Sequence, residues 1–126
     1  MHEKEFNAVI SLPGSKRYEY FIKQVCDRQE VWGLFNNGWA MVTDDNGQLL
    51  IPLWPRIEFA EVCVDSTEWS GYKPKEIDLE RFVEKWIPGM VNDKVMPAIF
   101  MTPSNRGVAV DNKRLLEDLE QELENY

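Results

Sequence analysis

The spacing of apolar and polar positions divides the chain into helical and extended stretches. Phe6, Val9 and Ile10 recur at helical intervals and stop at Pro13-Gly14, which predicts a first helix over 3–12. Tyr18, Phe21, Ile22, Val25 and Cys26 follow the i, i+3, i+4, i+7, i+8 pattern of one buried stripe. That predicts a second helix over 15–28, with Ser15 as N-cap and Lys16, Arg17, Glu19, Lys23 and Gln24 turned to water. Three β-prone runs follow, 31–35, 39–43 and 48–54, separated by the turn signals Asn36-Asn37-Gly38 and Asp44-Asp45-Asn46-Gly47. They read as a three-stranded meander, and Pro52, which has no N–H to give a ladder, places the third run at an edge or at its end.

Residues 56–64 return to a helical pattern that is apolar nearly all round, so a well-buried helix is expected. A loop over 65–76 carries Trp69 and Tyr72. Asp78 then caps an amphipathic helix with Leu79, Phe82, Val83, Trp86 and Ile87 on one face, ended or kinked by Pro88-Gly89. Residues 96–101 predict a fourth strand and 107–110 a short fifth, joined by the turn-forming run 102–106. Asp111 is a natural N-cap for a closing helix with Leu115, Leu116, Leu119 and Leu123 inward. Helices and strands come in blocks rather than strict alternation, which argues for α+β. The expectation is a single domain over 1–126, a mostly antiparallel sheet of about five strands with helices packed on it.

Composition narrows the function more than the fold. At 126 residues the chain is one domain's worth and can bury a core without staples. Fourteen basic against twenty-two acidic residues give a net charge of -8, which argues against binding nucleic acid through its phosphates. The closing segment 111–126 alone holds six acids and two bases. No apolar run approaches the roughly 20 residues of a membrane span, and the charged start lacks the apolar core of a signal peptide. Two cysteines, Cys26 and Cys63, on apolar helical faces read as small reduced core residues, which fits a cytoplasmic setting.

Catalytic signals are sparse. The single histidine, His2, stands at the N-terminal end, so Cys-His and Ser-His nucleophile pairs have no base. Cys-x-x-Cys, His-Glu-x-x-His, EF-hand, P-loop and Gly-x-Gly-x-x-Gly spacings are all missing, and no metal or cofactor is expected. Carboxylate pairs are inevitable among so many acids and carry no weight, because charged side chains are mostly solvated.

The five tryptophans stand out. Trp86 reads as core by its period. Strand alternation places Trp32 with Leu34 toward the core and Trp54 on the face opposite Leu49, Ile51 and Leu53. Trp54 is therefore expected at an exposed rim beside Arg56, with Trp69 and Tyr72 leaning over it. Such a rim suits a non-enzymatic module binding a protein or peptide. Two alternatives stay open. One is a small anionic-ligand or enzymatic site in the same region, with Arg56 or Arg106 gripping an anion. The other is homodimerisation through the same aromatics.

Several segments taken together resemble a known family. Arg17-Tyr18-Glu19-Tyr20-Phe21, Val31-Trp32-Gly33-Leu34, Gly38-Trp39-Ala40, Leu53-Trp54-Pro55, Phe59-Ala60 and Ile77-Asp78-Leu79 occur in that order. Over residues 15–120 the chain is similar to short bacterial proteins grouped as domain of unknown function 2750. The resemblance implies a small cytoplasmic bacterial protein with one α+β domain, and brings no catalytic residue or cofactor with it. The order of elements also resembles the N-terminal domain of enhanced-serine-sensitivity proteins.

Overall fold

The computed structural model describes residues 1–66, 69–104 and 107–126, with residue 66 described by its backbone alone. Helix α1 (Glu3–Ile10) leads into α2 (Gly14–Arg28), whose Tyr18, Phe21, Ile22, Val25 and Cys26 are all buried, as their spacing requires. The helix is capped two residues earlier than Ser15 suggests. Pro13 stands at the cap position without a side-chain cap.

The middle of the chain departs from a meander. Strand β1 (Glu30–Phe35) does not ladder with β2 (Val42–Thr43) or β3 (Leu49–Leu53). It pairs antiparallel with β4 (Lys73–Asp78), from Glu30↔Asp78 to Phe35↔Lys73. The segment 73–78 reads as loop because its sequence, Lys-Pro-Lys-Glu-Ile-Asp, has neither alternation nor β-branched bulk apart from Ile77. A long-range partner supplies what propensity lacks. The run 39–43 shortens to two strand residues, because Asn37 adopts a positive φ of 56° and Trp39 meets Phe35 at a lone bridge.

A second sheet, in the order β2-β3-β5-β6, contains β5 (Val95–Ile99) and β6 (Val108–Ala109). The fold is thus α+β, with six strands described in two sheets. Three of the four described ladders are antiparallel, as expected, but the strands are split between two sheets and the second is mixed, since β3 and β5 run parallel, Leu49↔Val95 to Leu53↔Ile99. A parallel pair needs a long crossover. Here it is made by helix α3 (Ile57–Ser66), β4 and the helical run 79–93. The two sheets meet where Trp32 and Trp54 exchange backbone hydrogen bonds of 2.9 and 2.8 Å.

The helical run 79–93 consists of α4 (Leu79–Arg81), a π-helical turn (Phe82–Trp86) and α5 (Ile87–Asp93). Asp78 caps it, accepting from the Arg81 N–H at 3.2 Å. Pro88 neither ends the helix nor breaks it. The turn before it widens, and the Ile87 N–H reaches the Phe82 carbonyl five residues back. A π turn gives the pyrrolidine ring room against the preceding turn and absorbs the missing N–H. The closing helix α6 (Asn112–Leu123) is capped by Asp111, with Leu115 and Leu119 fully buried against the core.

Both cysteines are reduced and buried. Cys63 Sγ donates to the Met101 carbonyl at 3.4 Å and Cys26 Sγ to the Leu119 carbonyl at 3.7 Å. Burial pushes each thiol up to about 11; Glu122 adds to this at Cys26, and the Trp54 contact opposes it at Cys63. At pH 8 only on the order of a thousandth of each thiol is then ionised, and the thiolate is the reactive form. Ellman's reagent at pH 8 is therefore expected to react slowly with the native protein and at once in guanidinium. Rapid labelling of either thiol in the native state would place that cysteine outside the core.

Candidate functional site

The expected aromatic rim is not at the surface. Trp54 is fully buried, Trp69 is 9% exposed, and their rings meet edge to face with centroids 6.2 Å apart. Alternation fails at the end of β3 because Pro52, Leu53, Trp54 and Pro55 are all buried. Both faces of the strand are covered there, so the period of two carries no inside-outside information. Trp54 Nε1 donates to the Met101 carbonyl at 2.8 Å, which satisfies the one polar atom of the indole.

Tyr72 is half-buried and packs on the edge of the same core, its N–H bonded to the Trp69 carbonyl at 3.0 Å. Arg56 is turned elsewhere. Its Nη2 lies 3.3 Å from Glu58 Oε2, so one end of the guanidinium already has a carboxylate. It also stands near Tyr20, whose phenol burial pushes up and the Arg56 charge pulls back. Arg56 Nε and Tyr20 Oη are buried without a well-formed hydrogen bond. Arg106 lies outside the described residues.

A different set of aromatics does reach solvent. Phe35, Trp39 and Trp86 are each half-buried and form a chain of edge-to-face contacts, 5.2 Å from Phe35 to Trp39 and 4.8 Å from Trp39 to Trp86. Trp86 is thus less buried than Trp69, the reverse of what the sequence suggests. Gly33 makes the arrangement feasible. A Cβ at this position would stand 2.9 Å from Trp39 Cζ3, so the indole lies directly on the bare strand. The Trp-Gly of β1 and the Gly-Trp-Ala that follows the turn are therefore one packing device.

Cations border this aromatic chain. The antiparallel register sets Lys75 opposite Gly33, and Lys75 Nζ lies 4.1 Å from the Phe35 ring centroid and 5.5 Å from that of Trp39. On the other side Trp86 opens into a groove of about 350 Å³, floored by Ile51, Met90 and Val95 and edged by Met41, which is 42% exposed. Arg81 and Lys85 line this groove, with Asp93 as its one described acid. The helical run supplies Arg81, Lys85 and Trp86 together, and its π turn sets their angular spacing.

The remaining surface offers less chemistry. A groove of about 660 Å³ runs between α2 and α6. Its central charges already engage each other: Tyr18 Oη donates to Asp118 Oδ2 at 2.6 Å, and Arg114 Nε lies 3.6 Å from the same carboxylate. Among the described residues, no group of three or more His, Cys, Asp or Glu side chains is placed to hold a metal ion. No helix among them is long and apolar enough to cross a membrane.

Arg17 is the residue that the sequence pattern misplaces most. It is 2% exposed, with Nη1 donating to the Leu12 carbonyl at 2.6 Å and Nε to the Phe100 carbonyl at 3.1 Å. Its position four before Phe21 and eight before Val25 extends the buried stripe, a signal that its charge overrides in a hydropathy reading.

The family model for a protein of unknown function, DUF2750, matches residues 18–119. The chain belongs to the DUF2750 family. The match takes in β1, the turn that carries Trp39, β4 and the helical run 79–93, so the whole aromatic and cationic face lies inside the DUF2750 region. A search of curated proteins finds no match.

Proposed function

We propose that this DUF2750 protein is a binding module without chemistry of its own, and that it accepts an acidic segment of a partner protein bearing apolar anchor side chains. The observation that carries the reading is the half-buried chain Phe35–Trp39–Trp86, held between Lys75 on one side and Arg81 and Lys85 on the other. Aromatics that are partly exposed and already ordered by neighbours are the usual anchors of an interface core, since little entropy is lost when they are covered. Three cations against Asp93 give this face the opposite sign to a chain of net charge -8. Charge of that sign steers an acidic segment to the face.

Titration with 12-residue peptides of alternating Glu and Leu or Phe, against matched Lys peptides, tests the reading. The acidic set is expected to quench tryptophan fluorescence saturably, more weakly at higher salt. The double variant Lys75→Glu, Lys85→Glu is expected to weaken binding about tenfold or more. Equal affinity for both peptide sets would refute the proposed charge selection. Self-association that the same double variant abolishes would assign the face to a second copy instead.

A further inference from the structure

We propose, resting on the binding role above, that Gly89 is the seat of an aromatic anchor carried by the acidic partner segment. The anchor packs on the bare backbone of α5 and extends the ring chain Phe35–Trp39–Trp86 outward. In the sequence Pro88-Gly89 reads as the end or kink of a helix, but the helical run continues through both residues to Asp93. Gly89 therefore stands in a helix interior, where only proline is less favourable than glycine. Its backbone does not call for glycine, because its φ lies outside the left-handed region. Packing does not call for it either. A Cβ there would meet no heavy atom within 4 Å beyond its chain neighbours and its own helix backbone.

Gly89 is half-buried and lines the groove of about 350 Å³ beside Trp86. It follows Trp86 by three residues and precedes Asp93 by four, so the three share one helical face. The missing Cβ lets a partner ring approach the helix backbone itself. The same face already holds one seat of this kind. At Gly33 a Cβ would stand 2.9 Å from Trp39 Cζ3, so there the ring on the bare backbone is the chain's own. At Gly89 the corresponding space is open. The groove offers an incoming ring the Trp86 indole and the thioethers of Met41 and Met90, all of which favour aromatic contacts. Arg81 and Lys85 are exposed on the same groove, and neither has an ion-pair partner among the described residues. Asp93, by contrast, already accepts from Asn92 Nδ2 at 3.3 Å. An aromatic side chain flanked by carboxylates therefore meets the open seat and both cations together.

The test is a fluorescence titration of the full chain with 12-residue peptides of alternating Glu and Phe and of alternating Glu and Leu. The parent chain is expected to bind the Phe peptide roughly three- to tenfold more tightly, the margin of one aromatic pair. Gly89→Leu fills the seat and is expected to weaken the Phe peptide about tenfold or more and to erase its advantage over the Leu peptide. Gly89→Ala is expected to weaken the Phe peptide less, while raising the thermal midpoint of the free protein by a few degrees, since alanine favours the helix. A lowered midpoint in Gly89→Ala would make the glycine a requirement of the fold and overturn the seat. So would an unchanged affinity for the Phe peptide in Gly89→Leu while Lys75→Glu, Lys85→Glu still loses it, and the charged face would then stand without the seat. No saturable quenching of the parent chain by either peptide would remove both.

Discussion

Replacing Trp54 with alanine is expected to cost about 3–5 kcal/mol, the range for deleting a fully buried large aromatic. The indole is entirely enclosed, packs edge to face on Trp69, and holds the Met101 carbonyl at 2.8 Å. Its backbone also exchanges hydrogen bonds with Trp32 of β1, so its cavity opens at the seam between the two sheets. Native stabilities of about 5–15 kcal/mol leave little after such a loss. Trp86→Ala is expected to cost only about 1–2 kcal/mol, because its ring is only partly enclosed and loses one aromatic neighbour on each side. Guanidinium melts of the two variants check the order. A larger shift for Trp86→Ala would reverse the assignment of core and surface tryptophans.

Arg17→Met is expected to destabilise by about 2–4 kcal/mol, although methionine is the more apolar residue. Two carbonyls, those of Leu12 and Phe100, lose charged donors inside the protein, and each such bond contributes about 1.5–3 kcal/mol when an ion is involved. Phe100 is itself held at a positive φ of 61°, a conformation that a bulky residue adopts only when its surroundings fix it. The Arg17 bond to its carbonyl and the Phe100 N–H bond to the Leu53 carbonyl at 2.9 Å do so from both sides. Arg17→Lys should recover less than half of the loss, since one compact ammonium cannot reach two carbonyls in the fork geometry of a guanidinium. Equal stability of Arg17→Met and the parent protein would mean that the staple carries no weight.

These two residues mark where sequence reasoning stops. The helical stripe of α2, the Asp78 and Asp111 caps and the buried Leu115 and Leu119 were legible because each is a local pattern with a local cause. Strand β4 was not, since its pairing with β1 is decided by residues some forty positions away rather than by its own polar sequence. The parallel β3–β5 pairing was hidden for the same reason, and with it the enclosure of Trp54 from both sides. Aromatic excess did point to tryptophans as the informative residues. It could not separate Trp54 and Trp69, which hold the core, from Trp39 and Trp86, which reach the surface. That division depends on Gly33, where a missing Cβ lets Trp39 lie on the strand, and the motif around Gly33 carries no sign of which ring will occupy the space.

The five tryptophans also provide the most direct test of the proposed binding face, because each indole N–H gives its own resonance in a nitrogen–proton correlation spectrum. An acidic peptide with Leu and Phe anchors is added to the labelled protein at low salt. The resonances of Trp39 and Trp86 are expected to shift saturably, and those of Trp54 and Trp69 to stay within line width. Movement of Trp54 and Trp69 in place of Trp39 and Trp86, or no saturable movement of any indole, would contradict it.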